Sequence, residues 1–260
     1  GMVPVVRNVA HIMIEEAMLA ANICAAKLLE KARVPALYRN HEPPKEERLS
    51  KLQQFLGGLG LSIAWSEGAP KPAVFQQLRE QILERPDRNV IQTMMLRSMT
   101  QAKYEAENKG HFGLAYKAYT HFTSPIRRYP DLLVHRAIRY LIRSEGLPAH
   151  VDNPGSLPEI PRQKILPYSQ EDMVVIGEQC SMTERRADEA TRDVISWLKC
   201  QFMESRIGEV FEGVISGVAS FGLFVQLNEL HIDGLVHVAN LDSDYYHFDE
   251  VNMSLNGESS

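Results

Sequence analysis

The sequence is poor in cysteine, with only Cys24, Cys180 and Cys200 among 260 residues. Their odd number and wide spacing exclude a disulfide framework and a zinc site built from closely spaced thiolates, and they favour a reducing compartment. The sequence also lacks any apolar run near the ~18 residues that a membrane-spanning helix needs, and it shows no secretory leader. We therefore expect a cytoplasmic protein that does not associate with a membrane.

Lysine and arginine are absent after Arg206. Nine acidic side chains lie between Ile207 and Ser260, so this segment carries a formal charge of −9, whereas the preceding residues carry +4. The whole-chain charge of −5 therefore conceals two different regions. The two regions, residues 1–206 and residues 207–260, are therefore considered separately.

The first region has the apolar periodicity of helices. Residues 9–31 are apolar nearly all round, which predicts a helix, capped by Asn8, that is buried on both sides. Residues 90–107 are also predicted to be helical, and the alternating aromatic pattern of residues 110–122 predicts a strand. A proline-rich connection at 144–168 should separate these elements from one long helix that starts at a capping box and runs to about residue 205.

After Gly208 the apolar period changes to two. Three segments, each followed by a tight turn, predict three strands that form an open sheet. Hydrophobic residues make up 44% of the chain, which is enough to bury a core. The fold class expected is therefore α+β, with a mainly helical body followed by a small, incomplete β-sheet.

The strongest local motif is SPIRRYPD, which begins at Ser124. Ser124 is a suitable N-cap and a proline follows it, so Arg127 and Arg128 would project from the first turn of a helix. Unpaired backbone N–H groups favour anions there, and a guanidinium can hold a phosphate through two hydrogen bonds. The motif therefore indicates a phosphate clamp. The competing interpretation is that the arginines form structural ion pairs with Asp131 or other acids nearby.

Two further sets of side chains are candidates for binding. Glu15 and Glu16 lie near the start of the first helix, where a carboxylate could accept a hydrogen bond from a sugar hydroxyl or simply complement the helix dipole. Phe221, Phe224 and His237 lie in the predicted sheet, where exposed aromatic rings would stack on nucleic-acid bases. The alternative for this aromatic set is ordinary core packing.

Four segments resemble the ribonuclease R / ribonuclease II family: HIMIEEAMLAANICAAKLL, ALYRNHEPP, NKGHFGLAYKAYTHFTSPIRRYPDLLVHRAI and TERRADEATRD. They resemble the C-terminal half of the family's catalytic (RNB) domain, and the block after Gly208 resembles the first strands of an S1-like, OB-type RNA-binding domain. The resemblance thus implies two domains, residues 1–206 and residues 207–260, of which the second is truncated. The resemblance implies a processive 3′→5′ exoribonuclease. Such an enzyme hydrolyses single-stranded RNA to nucleoside 5′-monophosphates with Mg²⁺.

The resemblance also implies roles for individual side chains. Arg127 would be the catalytic residue that grips the phosphate at the cut, and one of Glu15 and Glu16 would read a ribose hydroxyl. The remaining substrate-binding residues would be those near the RNA path and those that stack on bases: Arg128, Glu184, Phe221, Phe224 and His237.

The sequence departs from the family in one respect that concerns catalysis. The family's metal-holding aspartates have no counterpart before Met13. Asp242, Asp244 and Asp249 have a spacing that could suit a metal, but no glycine provides the sharp turn of a calcium loop, so a solvated turn is the favoured interpretation. Mg²⁺ would thus belong to the intact enzyme, with its ligands outside this sequence, and we expect this chain to be inactive alone. The alternative function is a non-catalytic RNA-binding or protein-interaction module. The sequence gives no indication of the oligomeric state.

Overall fold

The computed structural model describes residues 7–65, 68, 70–143, 160–228, 230, 232–241, 244–249 and 253–258. Its helices are α1 (Val9–Ala32), α2 (Glu46–Gly58), α3 (Pro72–Gln81), α4 (Arg88–Ser98), α5 (Tyr129–Arg143), α6 (Arg162–Ile165) and α7 (Gln170–Glu204). Its strands are β1 (Tyr38–Asn40), β2 (Lys103–Glu105), β3 (Gly213–Ala219), β4 (Gly222–Leu227), β5 (Asp233–His237), β6 (Tyr246–Asp249) and β7 (Ser254–Gly257). This composition confirms the predicted α+β class.

The chain divides in space into two compact units. The first, called the α1 unit below, contains residues 3–43 and 101–190, and the second, called the sheet unit, contains residues 1–2, 44–100 and 191–260. α2, α3 and α4 thus group with the C-terminal strands. The domain boundary after residue 206, which rests on the family resemblance, stays a prediction.

The α1 unit is built around clusters of buried apolar side chains. One cluster joins α1, α5 and α6 through residues such as Leu29, Val134 and Ile165. A second cluster includes Tyr104 of β2 and Met173 of α7. Complete burial of such a side chain stabilises the fold by ~1.5–3 kcal/mol, so these clusters fix the helices that carry the polar side chains described below.

α1 begins where the sequence predicts, because the side chain of Asn8 accepts a hydrogen bond from the backbone N–H of His11 at 3.1 Å. The prediction that this helix is buried on both sides is wrong. Its buried residues all lie in its second half, and apolar side chains of the first half, such as Met13 and Ile14, are exposed. In the described part of the chain, α1 packs mainly against α5, and α5 reaches only one part of its surface.

Two predictions between α4 and α5 are also wrong. The helix predicted for residues 90–107 ends at Ser98, and Lys103–Glu105 form β2, which pairs antiparallel with β1. The strand predicted for residues 110–122 is instead a loop that contains a 3₁₀ turn at Phe112–Leu114. Its aromatic alternation reflects ring packing, not a strand ladder, and His111, for example, stacks on His41 with 5.0 Å between ring centroids.

α7 begins at the predicted capping box. The backbone N–H of Ser169 donates to the carboxylate of Asp172 at 2.8 Å, and the N–H of Asp172 donates to the Ser169 hydroxyl at 3.1 Å. The helix comes very close to β2 at Gly177, where a Cβ would lie 2.8 Å from the carbonyl oxygen of Tyr104. This approach lets the Ser181 hydroxyl accept a hydrogen bond from the N–H of Tyr104.

The sheet unit contains the three predicted strands and two more. β3, β4 and β5 form an antiparallel sheet in the order β3-β4-β5, and β6 pairs antiparallel with β7. The prediction of only three strands is therefore incomplete. The two additional strands have four residues each and contain Asp249, Ser254, Asn256 and Gly257, residue types that propensity assigns to turns.

The proline-rich connection predicted at 144–168 lies outside the described residues up to position 159, and its remainder contains α6. None of the helices in the described ranges combines the length and apolar character required to cross a membrane. All three cysteines lie in the described ranges, and none of them forms a disulfide there.

Candidate functional site

The arginine motif forms a tight turn immediately before α5. The backbone N–H groups of Arg127 and Arg128 both point to the carbonyl oxygen of Ser124, at 3.3 and 3.1 Å. α5 itself starts at Tyr129, whereas the sequence pattern predicts that it opens at Ser124. Pro130 accounts for this start, because a proline is tolerated in the first turn of a helix, where its missing N–H has no partner to lose.

A buried carboxylate holds this turn. Asp131 has no exposed surface (0%) and accepts a hydrogen bond from the backbone N–H of Ser124 at 2.8 Å. It also accepts two hydrogen bonds from the guanidinium of Arg128, from Nε at 2.9 Å and from a terminal nitrogen at 2.8 Å. For Arg128, the structural ion pair considered from the sequence is therefore present.

Arg127 differs from its neighbour. Its guanidinium makes no hydrogen bond or ion pair with any residue that the structure describes. It lies at the junction of two clefts, both of which include the two arginines. The α1 cleft, with a volume of about 280 Å³, is lined among others by Glu15, Asn22, Tyr119, His121, Arg127 and Arg128. The α7 cleft, with a volume of about 310 Å³, is lined among others by Tyr104, Tyr129, Thr183, Glu184, Arg127 and Arg128.

Only one of the two glutamates near the start of α1 lines the α1 cleft. Glu15 is half-buried and lines the cleft, whereas Glu16 is exposed and is not among the residues that line it. Glu15 also forms an ion pair with Arg7. Asn22, about two turns further along α1 and buried, donates to the Tyr119 hydroxyl at 3.0 Å and accepts from the N–H of Phe122 at 2.9 Å. Asn22 thus fixes the loop that leads into the arginine turn.

The α7 cleft contains a network around Glu184. One carboxylate oxygen accepts from Arg39 at 2.6 Å, and the other accepts from the hydroxyl of Tyr104 at 3.3 Å. Arg39 also lies over the Tyr104 ring, with its guanidinium carbon 4.6 Å from the ring centroid. The Tyr104 hydroxyl is hydrogen-bonded in turn to Nδ1 of His121 at 2.8 Å. This network extends from the α7 cleft to the α1 cleft.

Burial keeps the aromatic members of the network neutral. Burial, assisted by the nearby guanidinium groups of Arg128 and Arg39, lowers the pKa of His121 to about 3. Burial likewise raises the pKa of the Tyr104 hydroxyl well above its ordinary value. Near pH 7 both side chains are therefore uncharged, and the positive charges closest to this network belong to arginines.

Several residues that hold the site cannot be identified from local sequence patterns. The sequence indicates Asp131 only as an ion-pair partner, and it indicates no role for Arg39, Asn22, Tyr104 and His121. Arg39 and Asn22 lie in segments that carry the family resemblance, which is the signal that could have marked them. Their hydrogen-bond partners are far away in sequence, a separation that no local pattern can reveal: Arg39 bonds Glu184 across 145 positions and Asn22 bonds Tyr119 across 97.

The aromatic set lies in the sheet unit on an exposed face. The rings of Phe221 and Phe224 meet edge to face with 6.0 Å between centroids, and they are 47% and 37% exposed. Gly222, with a φ of 155° that other residues rarely adopt, allows this arrangement and pairs with His237 across β4 and β5. Phe224 and His237 therefore share one face of the sheet, and the alternative of core packing does not apply to the two phenylalanines.

The described residues do not fit a magnesium site. Within the described ranges, no group of three or more His, Cys, Asp or Glu side chains is close enough to hold a metal ion. Magnesium is bound in proteins mainly by clustered carboxylates and water, and Glu15 and Glu184 are each paired with an arginine. No chemical step is therefore assigned here to a metal.

The fold and the site correspond to a class of RNA-associated modules. Residues 2–144 match the family model "RNB domain", and residues 204–255 match "S1 RNA binding domain". The chain is 57% identical over 257 residues to Ribonuclease R of Vibrio cholerae and 52% identical over 255 residues to Ribonuclease R of Escherichia coli. Each match covers 98% of this chain and 30% of the relative, so the chain spans under a third of the length of these relatives.

Solved structures give the same assignment. The RNase R of Mycoplasma genitalium, in complex with ribose-methylated single-stranded RNA, superimposes with a TM-score of 0.83 at 26% identity, covering 98% of this chain and 38% of that one. The same enzyme in complex with double-stranded RNA gives a TM-score of 0.75 at 25% identity, covering 96% and 42%. The chain belongs to the ribonuclease R / ribonuclease II family, as the sequence resemblance predicts.

Proposed function

We propose that this chain supplies the phosphate-gripping and RNA-binding part of a 3′→5′ exoribonuclease that acts on single-stranded RNA. The observation that carries the proposal is the guanidinium of Arg127, which is not bonded to any described residue and lies where two clefts meet. A guanidinium held in this way presents a planar fork that matches the oxygens of a phosphate. The relatives named Ribonuclease R support the same reaction class.

Glu15, and not Glu16, is the residue that we assign to the ribose. Glu15 lines the α1 cleft together with Arg127, so one nucleotide could contact both. A carboxylate accepts a hydrogen bond from a 2′-hydroxyl, which DNA lacks, and this contact distinguishes the two nucleic acids. Glu184 would line the path on the other side of the arginine turn.

Phe221, Phe224 and His237 would stack on bases of the bound strand. Each stacked base contributes ~1–3 kcal/mol and imposes little sequence preference. Phosphate contacts by Lys and Arg normally dominate the affinity for nucleic acid, and residues after Arg206 contain neither. We therefore expect the sheet to bind RNA weakly and mainly through its aromatic rings.

Hydrolysis to nucleoside 5′-monophosphates would depend on Mg²⁺, which activates water and stabilises the leaving oxygen. Arg127 can orient and neutralise a phosphate, but an arginine does not generate the nucleophile. We therefore propose that the 260-residue chain by itself binds RNA without shortening it. We also propose a cytoplasmic location, on the grounds of the unpaired cysteines.

The test uses the purified chain and a 5′-labelled single-stranded RNA, with the matching DNA as a control. In the presence of magnesium or manganese, we expect an electrophoretic mobility shift that is stronger for RNA than for DNA. The RNA should keep its full length. The Glu15→Ala variant, which removes the acceptor, should lose most of the preference for RNA, while Glu16→Ala, the matched control on the same helix, should keep it. Equal binding of RNA and DNA by the unmodified chain would contradict the role of Glu15.

The outcome for activity is read separately on a single-nucleotide gel. A ladder of shortened products that disappears with a chelator and with Arg127→Ala would contradict the proposed inactivity of the chain. Absence of any RNA binding would contradict the proposed function as a whole. Binding of RNA with no effect of either Glu15 or Arg127 would favour a non-catalytic module that binds through its sheet alone.

A further inference from the structure

The two adjacent arginines of the turn have different surroundings. Arg128 directs two nitrogens of its fork to the two oxygens of Asp131, at 2.9 and 2.8 Å. Such a bidentate arrangement is among the strongest that an arginine can form. Arg127 forms no such contact with any residue that the structure describes.

The position of Asp131 makes its contact with Arg128 difficult to release. The carboxylate is fully buried, whereas the side chain of Arg128 is 20% exposed. If Arg128 left Asp131 in order to bind a phosphate, the buried carboxylate would keep, among the residues that the structure describes, only the backbone N–H of Ser124 as a partner. Loss of one member of a buried ion pair is strongly unfavourable, because the other charge remains desolvated.

The same contacts determine where Arg127 points. Asp131 holds Ser124 by its N–H, and the carbonyl of Ser124 accepts the N–H groups of both arginines. Ser124 therefore begins the turn, and Asp131 of α5 stabilises it through the hydrogen bond to the Ser124 N–H. We propose that Arg128 and Asp131 form a positioning pair, and that Arg127 alone is the arginine of this turn that contacts the phosphate. The phosphate contact rests on the proposed function, whereas the positioning pair does not.

The positioning pair is tested without RNA by a double-variant cycle on the full 260-residue chain. Arg128→Gln and Asp131→Asn should each lower the midpoint of thermal unfolding by about 10 °C. The double variant should lose much less than the two decreases together, since neither charge is then left unpaired. Arg127→Gln should leave the midpoint nearly unchanged, as should Arg139→Gln, an exposed arginine on α5 that serves as the matched control.

The division of tasks is tested by the salt dependence of RNA binding, measured well below every unfolding midpoint. Each phosphate contact on a single strand contributes ~0.7 to the slope of log K against log salt concentration. Arg127→Gln should reduce the slope by about this amount, and Arg128→Gln should lower the affinity without changing the slope. Asp131→Asn should increase the slope by a similar amount, because it releases the fork of Arg128. Adding Arg128→Gln to Asp131→Asn should restore the original slope.

A merely structural pair would lower stability but would not give the increased slope of Asp131→Asn. If Arg128→Gln reduced the slope as much as Arg127→Gln, or if the unfolding cycle showed additive decreases, the inference would be overturned. If Arg128→Gln fails to fold, Arg128→Lys, which keeps the charge without the fork, replaces it in both measurements. If the unmodified chain binds no RNA, the proposed function fails, and the unfolding cycle still decides whether the positioning pair exists.

Discussion

The arginine turn and the aromatic sheet are two candidate RNA contacts built in opposite ways. The turn is held by buried polar side chains, with Asp131 and Asn22 exposed by 0% and 3%, and each makes two or more hydrogen bonds. The sheet presents its rings on an exposed face, and among the described residues of β3 to β7 only Gly222 is buried. A buried polar network fixes one side chain in one direction, whereas an exposed aromatic face accepts bases in many orientations.

The largest effect expected from this comparison concerns independent folding. Residues 207–260 on their own should show no cooperative thermal transition, because so small a sheet buries too little apolar surface. In the full chain, residues of α4 such as Met94 and Arg97 line a cavity of about 500 Å³ together with residues of the sheet such as Ile215 and Leu223. The isolated segment would lack these α4 neighbours. Circular dichroism of the isolated segment is the measurement. A sharp melting transition would show that the sheet stabilises itself.

The next effect concerns acid. Because the pKa of His121 in the folded protein is about 3, against an ordinary 6.5, the unfolded chain binds more protons between these two values. The stabilising effect is therefore complete above about pH 6.5 and decreases as the pH falls towards 3. At pH 4.5 we expect the unfolding free energy to be lower than at pH 7 by about 2 kcal/mol from this residue. Burial acts in the same direction on His111, whose pKa is about 4.

His121 and His111 both lie in the α1 unit, so this loss of stability on acidification is expected in that unit. Thermal unfolding at pH 7 and pH 4.5 measures the effect. His121→Gln, which keeps a hydrogen-bonding group, is the control and should lose less stability between the two pH values. An identical loss in the variant would mean that His121 does not titrate as expected.

The smallest effect separates the two kinds of RNA contact. Phe224→Ala should weaken RNA binding by roughly five-fold, the loss of about 1 kcal/mol of stacking, with an unchanged dependence on salt. Arg127→Gln should weaken it by about ten-fold at low salt and by less at high salt, because the lost contact is ionic. Fluorescence anisotropy at several salt concentrations distinguishes them. Parallel salt curves for the two variants would remove the contrast between the turn and the sheet.

The sequence alone determined the features that depend on neighbouring residues. Asn8 and the pair Ser169 and Asp172 cap their helices as predicted, because a cap involves residues only three positions apart. The strands β3, β4 and β5 follow from their apolar alternation and the turns between them. The SPIRR motif marked the turn of Arg127 for the same reason, since the whole turn is one local segment.

Only the tertiary structure decided which residues of distant segments act together. Short strands such as β2 and β6 exist because a partner strand pairs with them. The aromatic loop before the arginine turn is held by contacts between its rings, although its alternating sequence is typical of a strand. Glu15 could not be separated from Glu16 by spacing, because both lie near the start of one helix and only the packing of the loop against α1 shows which one lines the cleft. The different tasks inferred for Arg127 and Arg128 have the same origin: they are chemically identical neighbours, and the burial of Asp131 beneath one of them distinguishes the two.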